Sequence, residues 1–144
     1  IDTSGSCRGR IVRQFLEETL EILRRRENFF RQMRVHLIQC DSMIQGYACI
    51  ESQEQWKQYV EHLKVQGFGG TDFRPVFRWV EQLREKKEIQ NPGGLIYFTD
   101  GDGIYPKKAP DYETAFVFLN DSLKKGEVPS WAAALNLQIS VEEE

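Results

Sequence analysis

Residues 95–101 read LIYFTDG: five residues that favour a strand, followed at once by an aspartate and a glycine. An apolar run of this length, preceded by the turn cluster of residues 91–94, is typical of a strand buried in a sheet. In open parallel α/β sheets, ligands bind at the carboxyl ends of the strands, where the loop of residues 99–103 leaves this one. The stretch therefore predicts a buried strand and one loop of a binding site.

Four other segments have the composition of strands. Residues 34–40 (RVHLIQC) and 114–119 (TAFVFL) are rich in β-branched and apolar residues, which predicts buried strands. We expect a short edge strand at residues 44–50 and a last strand at residues 134–139.

Apolar residues at three- and four-residue intervals predict three amphipathic helices between these strands. Ser52 and Gln55 have the spacing of a capping box at the start of the second helix. Thr71 or Asp72 is expected to be the N-cap of the third helix, which tolerates Pro75 in its first turn. The apolar stripes are Val12, Phe15, Leu16, Thr19, Leu20 and Leu23, then Trp56, Tyr59, Val60 and Leu63, and finally Phe73, Phe77, Val80 and Leu83.

Strands that alternate with helices predict an α/β fold with right-handed crossovers. We therefore expect a doubly wound, mostly parallel central sheet with helices on both faces. The length of 144 residues predicts one domain over residues 1–144. Because the chain begins at Ile1, directly before a charged motif, we expect a truncated first strand and the C-terminal part of a longer protein.

The composition argues against partners attracted by long-range charge. With 19 basic and 22 acidic residues the formal charge is -3, so nucleic-acid binding would need a local basic patch. The best candidate is RRR at residues 24–26, but its side chains point in different directions around a helix rich in glutamate. No apolar run approaches the roughly 20 residues that span a bilayer. We expect neither nucleic acid nor a membrane as partner.

The cysteines Cys7, Cys40 and Cys49 are odd in number and show no CxxC spacing. This pattern argues against a disulfide framework and a thiolate zinc site, and reduced cysteines in the cytoplasm are the simplest account. We expect Cys40 to lie in the core, since no histidine is predicted beside it to activate a nucleophile. His36 is likewise expected to be a packed strand residue.

Three polar loops are predicted to lie on one edge of the sheet: residues 2–6 (DTSGS), residues 67–72 and residues 99–103. In the first loop, alternate positions of an extended turn point one carboxylate and two hydroxyls the same way. The loops together supply two carboxylates and three hydroxyls, from Asp2, Ser4, Ser6, Thr71 and Asp100.

Carboxylate and hydroxyl oxygens are hard ligands that suit Mg²⁺, Mn²⁺ or Ca²⁺, whereas zinc prefers histidine and cysteine. His36 and His62 fall in a strand and a helix pattern, so they predict no zinc cluster. Two carboxylates and three neutral hydroxyls supply little direct charge, so we expect the ion to stay under-satisfied and to keep water at an open position. Such a site invites a carboxylate from another molecule.

The motifs DTSGS, GGTD and FTDG, in this order, resemble the three loops of the metal-ion-dependent adhesion site of von Willebrand factor A-like (VWA) domains. GGTDFRPVF followed by YFTDGDGIYP is similar to the VWA-like domain of bacterial proteins that carry a predicted metallopeptidase region upstream. The resemblance implies that the hydroxyls of Ser4, Ser6 and Thr71 contact the metal and that Asp2 and Asp100 bind it directly or through water. It further implies a partner carboxylate in the remaining position. In related bacterial families the partner is often a MoxR-type AAA+ ATPase.

The chain departs from the family pattern at two places. Cys7 follows the serine pair without a family role, and the first strand is almost entirely absent. Among the other carboxylates, Asp72 is interpreted as a helix cap and Asp102 as a loop residue near the site. The chain contains no HExxH motif, so peptidase chemistry would have to come from the upstream region.

The motifs thus favour a non-catalytic, metal-dependent protein-interaction module. The alternative is a phosphatase of the haloacid dehalogenase type, because LIYFTDGDG also resembles an apolar strand that ends in Asp-x-Asp. There Asp100 would be the nucleophile and Asp102 the general acid, with Mg²⁺ between phosphate and carboxylates. That alternative has Ile104 where threonine or valine is usual, and it leaves DTSGS and GGTD without a role.

Overall fold

The computed structural model describes residues 1, 9–24, 34–63, 71–99, 103–119 and 128–138. In this part of the chain, helices and strands form a small α/β structure. Its elements are α1 (Gly9–Arg24), β1 (Val35–Cys40), β2 (Ile44–Ile50), α2 (Gln53–Glu61), α3 (Arg74–Glu85), β3 (Leu95–Thr99), β4 (Thr114–Leu119) and β5 (Ala133–Leu137). None of the described helices is both long and apolar enough to cross a membrane.

The predicted strands are confirmed to within two residues at each described end. β2, β3 and β4 have the predicted bounds, and β1 begins one residue later than predicted. β5 begins one residue earlier and ends at Leu137, while the predicted end at Ile139 lies outside the described residues. Composition alone therefore located every described strand.

The described strands form two sheets. β3, β4 and β5 pair in parallel in that order, as alternation with helices predicts. β1 and β2 pair antiparallel, because the three residues between them are too few for the crossover that a parallel pair requires. Among the described strands β2 pairs only with β1, which agrees with the predicted edge position. A single doubly wound sheet stays a prediction.

Ile1 extends the β1 side of the structure by one residue. Its amino group donates to the carbonyl of Ile38 at 2.8 Å, and its carbonyl accepts the N–H of Cys40 at 3.0 Å. Bonds to the two neighbours of one residue are the pattern of parallel pairing, so Ile1 lies opposite Gln39. Ile1 therefore lies beside the carboxyl end of β1 and runs parallel to it.

Two apolar clusters make up the described core. Successive residues of a strand point to opposite faces, and Leu37 belongs to the first cluster while Ile38 belongs to the second. α1 and α2 thus pack on one side of β1 and α3 on the other. The buried members are Val12, Phe15, Leu16, Leu37, Ile50, Trp56 and Val60 in the first cluster, and Ile38, Cys40, Phe73, Val76, Phe77, Val80, Tyr97, Phe116 and Phe118 in the second.

The capping box predicted for α2 is present in a shifted form. Ser52 is the N-cap, and its hydroxyl accepts the N–H of Gln55 at 3.1 Å. The Gln55 side chain accepts the N–H of Glu51 at 2.7 Å instead of that of the cap residue itself. Two backbone N–H groups at the helix start are satisfied, which explains why the helix begins there.

The strand LIYFT is less buried than predicted. Tyr97 and Thr99 are buried, but Ile96 is 62% exposed. Phe98 lies on the same face as Ile96, and the ring of Phe15 from α1 packs on it with a centroid distance of 3.5 Å. Among the described contacts, α1 thus covers the carboxyl half of this face while Ile96 stays accessible at its start.

Trp56 provides a test of how α2 is fixed to α1. It is 2% exposed, and its indole N–H donates to the Leu16 carbonyl at 3.0 Å. We expect Trp56→Phe to lower the free energy of unfolding by about 1–3 kcal/mol, through the lost hydrogen bond and the lost volume. Urea denaturation followed by circular dichroism measures this change.

The matched control is Trp79→Phe. The indole N–H of Trp79 is buried and has no hydrogen-bond partner among the described residues. The same substitution removes no hydrogen bond there, so we expect a smaller loss of stability. An equal loss at both positions would contradict a contribution from the bond to Leu16.

Candidate functional site

The first predicted loop starts next to the end of β1. The Ile1 carbonyl accepts the N–H of Cys40, so the residue directly before this loop lies beside the end of β1. Asp2, Ser4 and Ser6 themselves lie outside the described residues. The structure thus gives the starting point of DTSGS and not the positions of its side chains.

The second predicted loop is attached to the next residue of the same strand end. The N–H of Asp72 donates to the carbonyl of Asp41 at 3.1 Å. The thiol of Cys40 lies 3.6 Å from the Asp72 carbonyl, within the range of a weak sulfur hydrogen bond. Two consecutive residues therefore bind the sequence neighbours of two predicted ligands. Cys40 binds Ile1, which precedes Asp2, and Asp41 binds Asp72, which follows Thr71.

The third predicted loop leaves β3 after Thr99, which is fully buried, and is described again from Gly103. The carbonyl of Ile104 accepts the N–H of Phe73 at 3.1 Å. A Cβ added at Gly103 would lie 2.7 Å from the Phe73 ring and 2.9 Å from the Thr71 methyl, which is too close for any side chain. The end of the third loop is thus packed against Thr71.

Thr71 is the one predicted metal ligand among the described residues, and it is partly buried. Asp100 and Asp102 lie outside the described residues. In the described part of the chain, no three His, Cys, Asp or Glu side chains gather as a metal site.

The N-cap prediction for α3 was wrong by one or two residues. The cap position is Phe73, which is fully buried and makes no side-chain cap bond. Asp72 acts from one position earlier, and its carboxylate accepts the N–H of Arg74 at 3.0 Å. The buried Phe73 ring sets where the helix begins, because its place in the core outweighs the local preference for a polar cap. Pro75 lies in the first turn as predicted.

The carboxylate of Asp72 is also committed to the side chain of Arg74. Two hydrogen bonds from that guanidinium reach it, at 3.0 and 2.8 Å. These bonds hold the pKa of the Asp72 carboxyl below its ordinary value, although partial burial acts in the opposite direction. Asp72 therefore stays ionised and turned towards Arg74, in keeping with a structural role.

Asp41 belongs to this rim and was missed in the sequence. It is 4% exposed, and one carboxylate oxygen accepts the N–H of Met43 and the amide of Gln45, both at 3.1 Å. The carboxylate thus shapes the turn into β2, and the carbonyl holds Asp72. An aspartate directly after the apolar run RVHLIQC was the signal for it, the same signal that singled out Asp100.

The cysteines and the histidine of β1 and β2 are explained by their packing and hydrogen bonds. Cys40 is fully buried, as expected, and Cys40 and Cys49 are both free thiols. His36 is partly buried, and its Nδ1 lies 2.7 Å from the hydroxyl of Tyr47. Burial lowers the pKa of His36, and the nearby Arg34 lowers it further. These side chains lie on β1 and β2 and need no ligand to account for them.

Comparison with known proteins yields a family match. The model of the family described as VWA-like domain (DUF2201) matches residues 1–138, which is nearly the whole chain. Nothing matches in the other two comparisons, with curated proteins and with solved structures.

Gly103 tests the packing of the third loop against the second. We expect Gly103→Ala to lower the free energy of unfolding by about 1–3 kcal/mol, because the new methyl group overlaps the buried Phe73 ring. Gly46→Ala is the control, since a Cβ there meets Gln39 at an ordinary 3.5 Å. Equal stability of the two variants in urea denaturation would contradict the close packing at Gly103.

Arg74 tests the electrostatics next to Thr71. We expect Arg74→Met to raise the pKa of Asp72 towards its ordinary value of 3.8, because the guanidinium hydrogen bonds are lost. A pKa that is depressed in the folded state stabilises the fold above the unfolded pKa, and this stabilisation disappears as pH falls through the folded pKa. Below about pH 4, therefore, the stability advantage of wild type over the variant should shrink.

Carbon-13 NMR of the carboxyl groups measures this titration directly. Arg78→Met is the control, because Arg78 only adds a weaker charge effect on the same group. An Asp72 pKa that is the same in wild type and in Arg74→Met would refute the assignment of the shift to Arg74.

Proposed function

We propose a function for this chain, which belongs to the family of VWA-like domains: it is a non-catalytic module that binds a partner protein through a divalent metal ion. The ion would be held by Asp2, Ser4, Ser6, Thr71 and Asp100. An Asp or Glu of the partner would complete its coordination.

One observation carries the proposal: one described end of each of the three polar loops lies near the carboxyl end of β1. The loop starting at residue 2 is attached to Cys40, and the loop containing Thr71 is attached to Asp41. The loop containing Asp100 ends at Gly103, in contact with Thr71. This closeness of the described loop ends supports a single ion shared by the three loops.

The chemistry of the donor set fits a hard cation. Hydroxyl and carboxylate oxygens suit Mg²⁺ and Mn²⁺, and also Ca²⁺. Two further carboxylates near the rim, Asp41 and Asp72, are engaged in hydrogen bonds with the protein itself. The charged ligands of the ion would be Asp2 and Asp100, and the ion would keep an attraction for an outside carboxylate, which is the chemistry it supplies when bound.

The finer parts of the proposal rest on the resemblance of the motifs. They are a metal-ion-dependent adhesion site on a doubly wound sheet, and a relationship to the VWA-like domain of bacterial proteins with an upstream metallopeptidase region. A MoxR-type AAA+ ATPase is the partner that this relationship suggests, in the cytoplasm. The packing of Ile1 supports the doubly wound arrangement, since Ile1 pairs with β1 while Ile1 and Phe98 of β3 both pack against the first apolar cluster.

A calorimetric titration with Mn²⁺ and with Mg²⁺ tests the metal site. We expect wild type to bind one ion and Asp100→Ala to lose at least about tenfold in affinity, because a charged ligand is removed from a cation. We expect the circular dichroism spectrum of the variant to match that of wild type. The absence of binding in wild type would refute the metal site.

Thr71 permits a sharper comparison within the same experiment. Thr71→Val removes the hydroxyl but keeps a methyl group for the contact with Gly103, whereas Thr71→Ser keeps the hydroxyl. We expect the valine variant to bind Mn²⁺ more weakly and the serine variant to bind it nearly as wild type does. The reverse order would mean that Thr71 contributes packing and not a metal ligand.

The same proteins can be assayed for hydrolysis of p-nitrophenyl phosphate. Turnover that requires Asp102 but not Ser4 would overturn the non-catalytic assignment in favour of the phosphatase alternative.

A further inference from the structure

An open groove of about 650 Å³ begins next to the rim that carries Thr71. One wall is the exposed side of α3, and the other is the segment that follows Gly103. Its charged lining residues are Arg74, Arg78, Glu81 and Glu85 on α3, and Lys107 and Lys108 on the opposite wall. Phe77 of α3 also lines the groove.

The groove runs along α3 from the rim towards the end of the helix. The second wall is tied to the start of α3 by the bond from Phe73 to Ile104 at 3.1 Å. It is tied to the end of α3 by Asp111, which forms two hydrogen bonds with Arg84 at 2.6 and 3.0 Å. Residues 107 and 108 lie between these two ties, so they face the middle of the helix.

On α3, positive charge is concentrated at the end of the groove that is nearest the rim. Arg74 and Arg78 are one helical turn apart, about 6 Å, whereas Glu81 and Glu85 lie further along. Arg74 is paired with Asp72. In the described part of the chain, neither Arg78 nor the two lysines forms an ion pair. The chain as a whole has a net charge of -3, so this local excess of cations stands out.

We propose that Arg74, Arg78, Lys107 and Lys108, here called the basic strip, form the docking surface for an acidic peptide segment of the partner protein. The inference rests on the proposed function in one respect: the same partner supplies the carboxylate at the rim. The helix advances about 16 Å from residue 74 to residue 85, a length that an extended peptide covers with about five residues. The groove is therefore long enough for a short extended segment of the partner.

The distribution of charge favours a peptide over a nucleic acid. A nucleic-acid backbone carries a regular series of negative charges, and Glu81 and Glu85 would repel those beyond the first turn of α3. A peptide can place acidic side chains on the strip and neutral or apolar ones beside Phe77 and the two glutamates. The matching partner segment is thus acidic next to the rim and uncharged further away.

Fluorescence anisotropy of a labelled octapeptide, with three glutamates followed by alanine and leucine residues, tests this surface. In Mn²⁺ we expect Lys107→Glu/Lys108→Glu to weaken binding by about tenfold or more, because like charges then face each other. Binding to wild type should weaken as salt rises from about 50 to about 300 mM. The control Lys57→Glu/Lys86→Glu makes the same change in net charge at exposed positions outside the groove and should bind as wild type does.

The outcomes separate this proposal from that for the metal. A peptide that fails to bind wild type, or binds equally well to Lys107→Glu/Lys108→Glu, overturns the docking surface, while calorimetry with Mn²⁺ still reports on the rim. Peptide binding that is lost in that variant but persists in EDTA and in Asp100→Ala supports the surface and overturns only the role of the metal. A single-stranded oligonucleotide that displaces the peptide at equal concentration would overturn an acidic peptide as the occupant.

Discussion

The structure around the rim depends on two consecutive backbone positions at the end of β1. The N–H of Cys40 binds the Ile1 carbonyl, and the carbonyl of Asp41 accepts the N–H of Asp72. Adjacent peptide units cannot move apart, so the chain before DTSGS and the chain after Thr71 are held together as closely as the strand geometry dictates. Burial of Cys40 and Asp41 excludes water that would compete for these bonds. The third loop joins this arrangement by steric fit, since only glycine leaves room at residue 103.

The carboxylates near the rim have different roles. Asp41 and Asp72 are used inside the protein, the first to form the turn into β2 and the second to bind Arg74. Because these carboxylates are already hydrogen-bonded inside the protein, they are not among the ligands proposed for the ion. Arg74 is paired with Asp72. Among the described ion pairs none includes Arg78, which is therefore the unpaired cation of α3 nearest the rim. Metal site and basic strip are therefore two parts of one proposed binding surface.

Local patterns were sufficient to predict the elements, since the described strands agree with their predicted bounds to within two residues. Apolar runs are short, strong signals, because a strand covered on both faces has few polar residues. The prediction was less accurate where neighbouring elements decide: Ile96 is exposed because the described packing of α1 reaches only Phe98, and Phe73 replaced the expected polar cap. The family match over residues 1–138 supports the resemblance seen in the motifs, and the ligand set within them stays a prediction.

By itself, the sequence determined the α/β class and the order of its strands and helices, and it predicted a set of oxygen ligands in three loops, because periodicity and side-chain chemistry are local properties. Only the tertiary structure decided which positions share a neighbourhood. It placed the buried Asp41 beside Asp72, and it brought Lys107 and Lys108 across from Arg78, some thirty residues earlier in the chain. The basic run at residues 24–26 was the most basic stretch in the sequence, yet the groove drew its cations from two separate segments. Contacts of this kind depend on how α3 and its neighbouring loop pack against the sheet, and no periodicity along the chain encodes that.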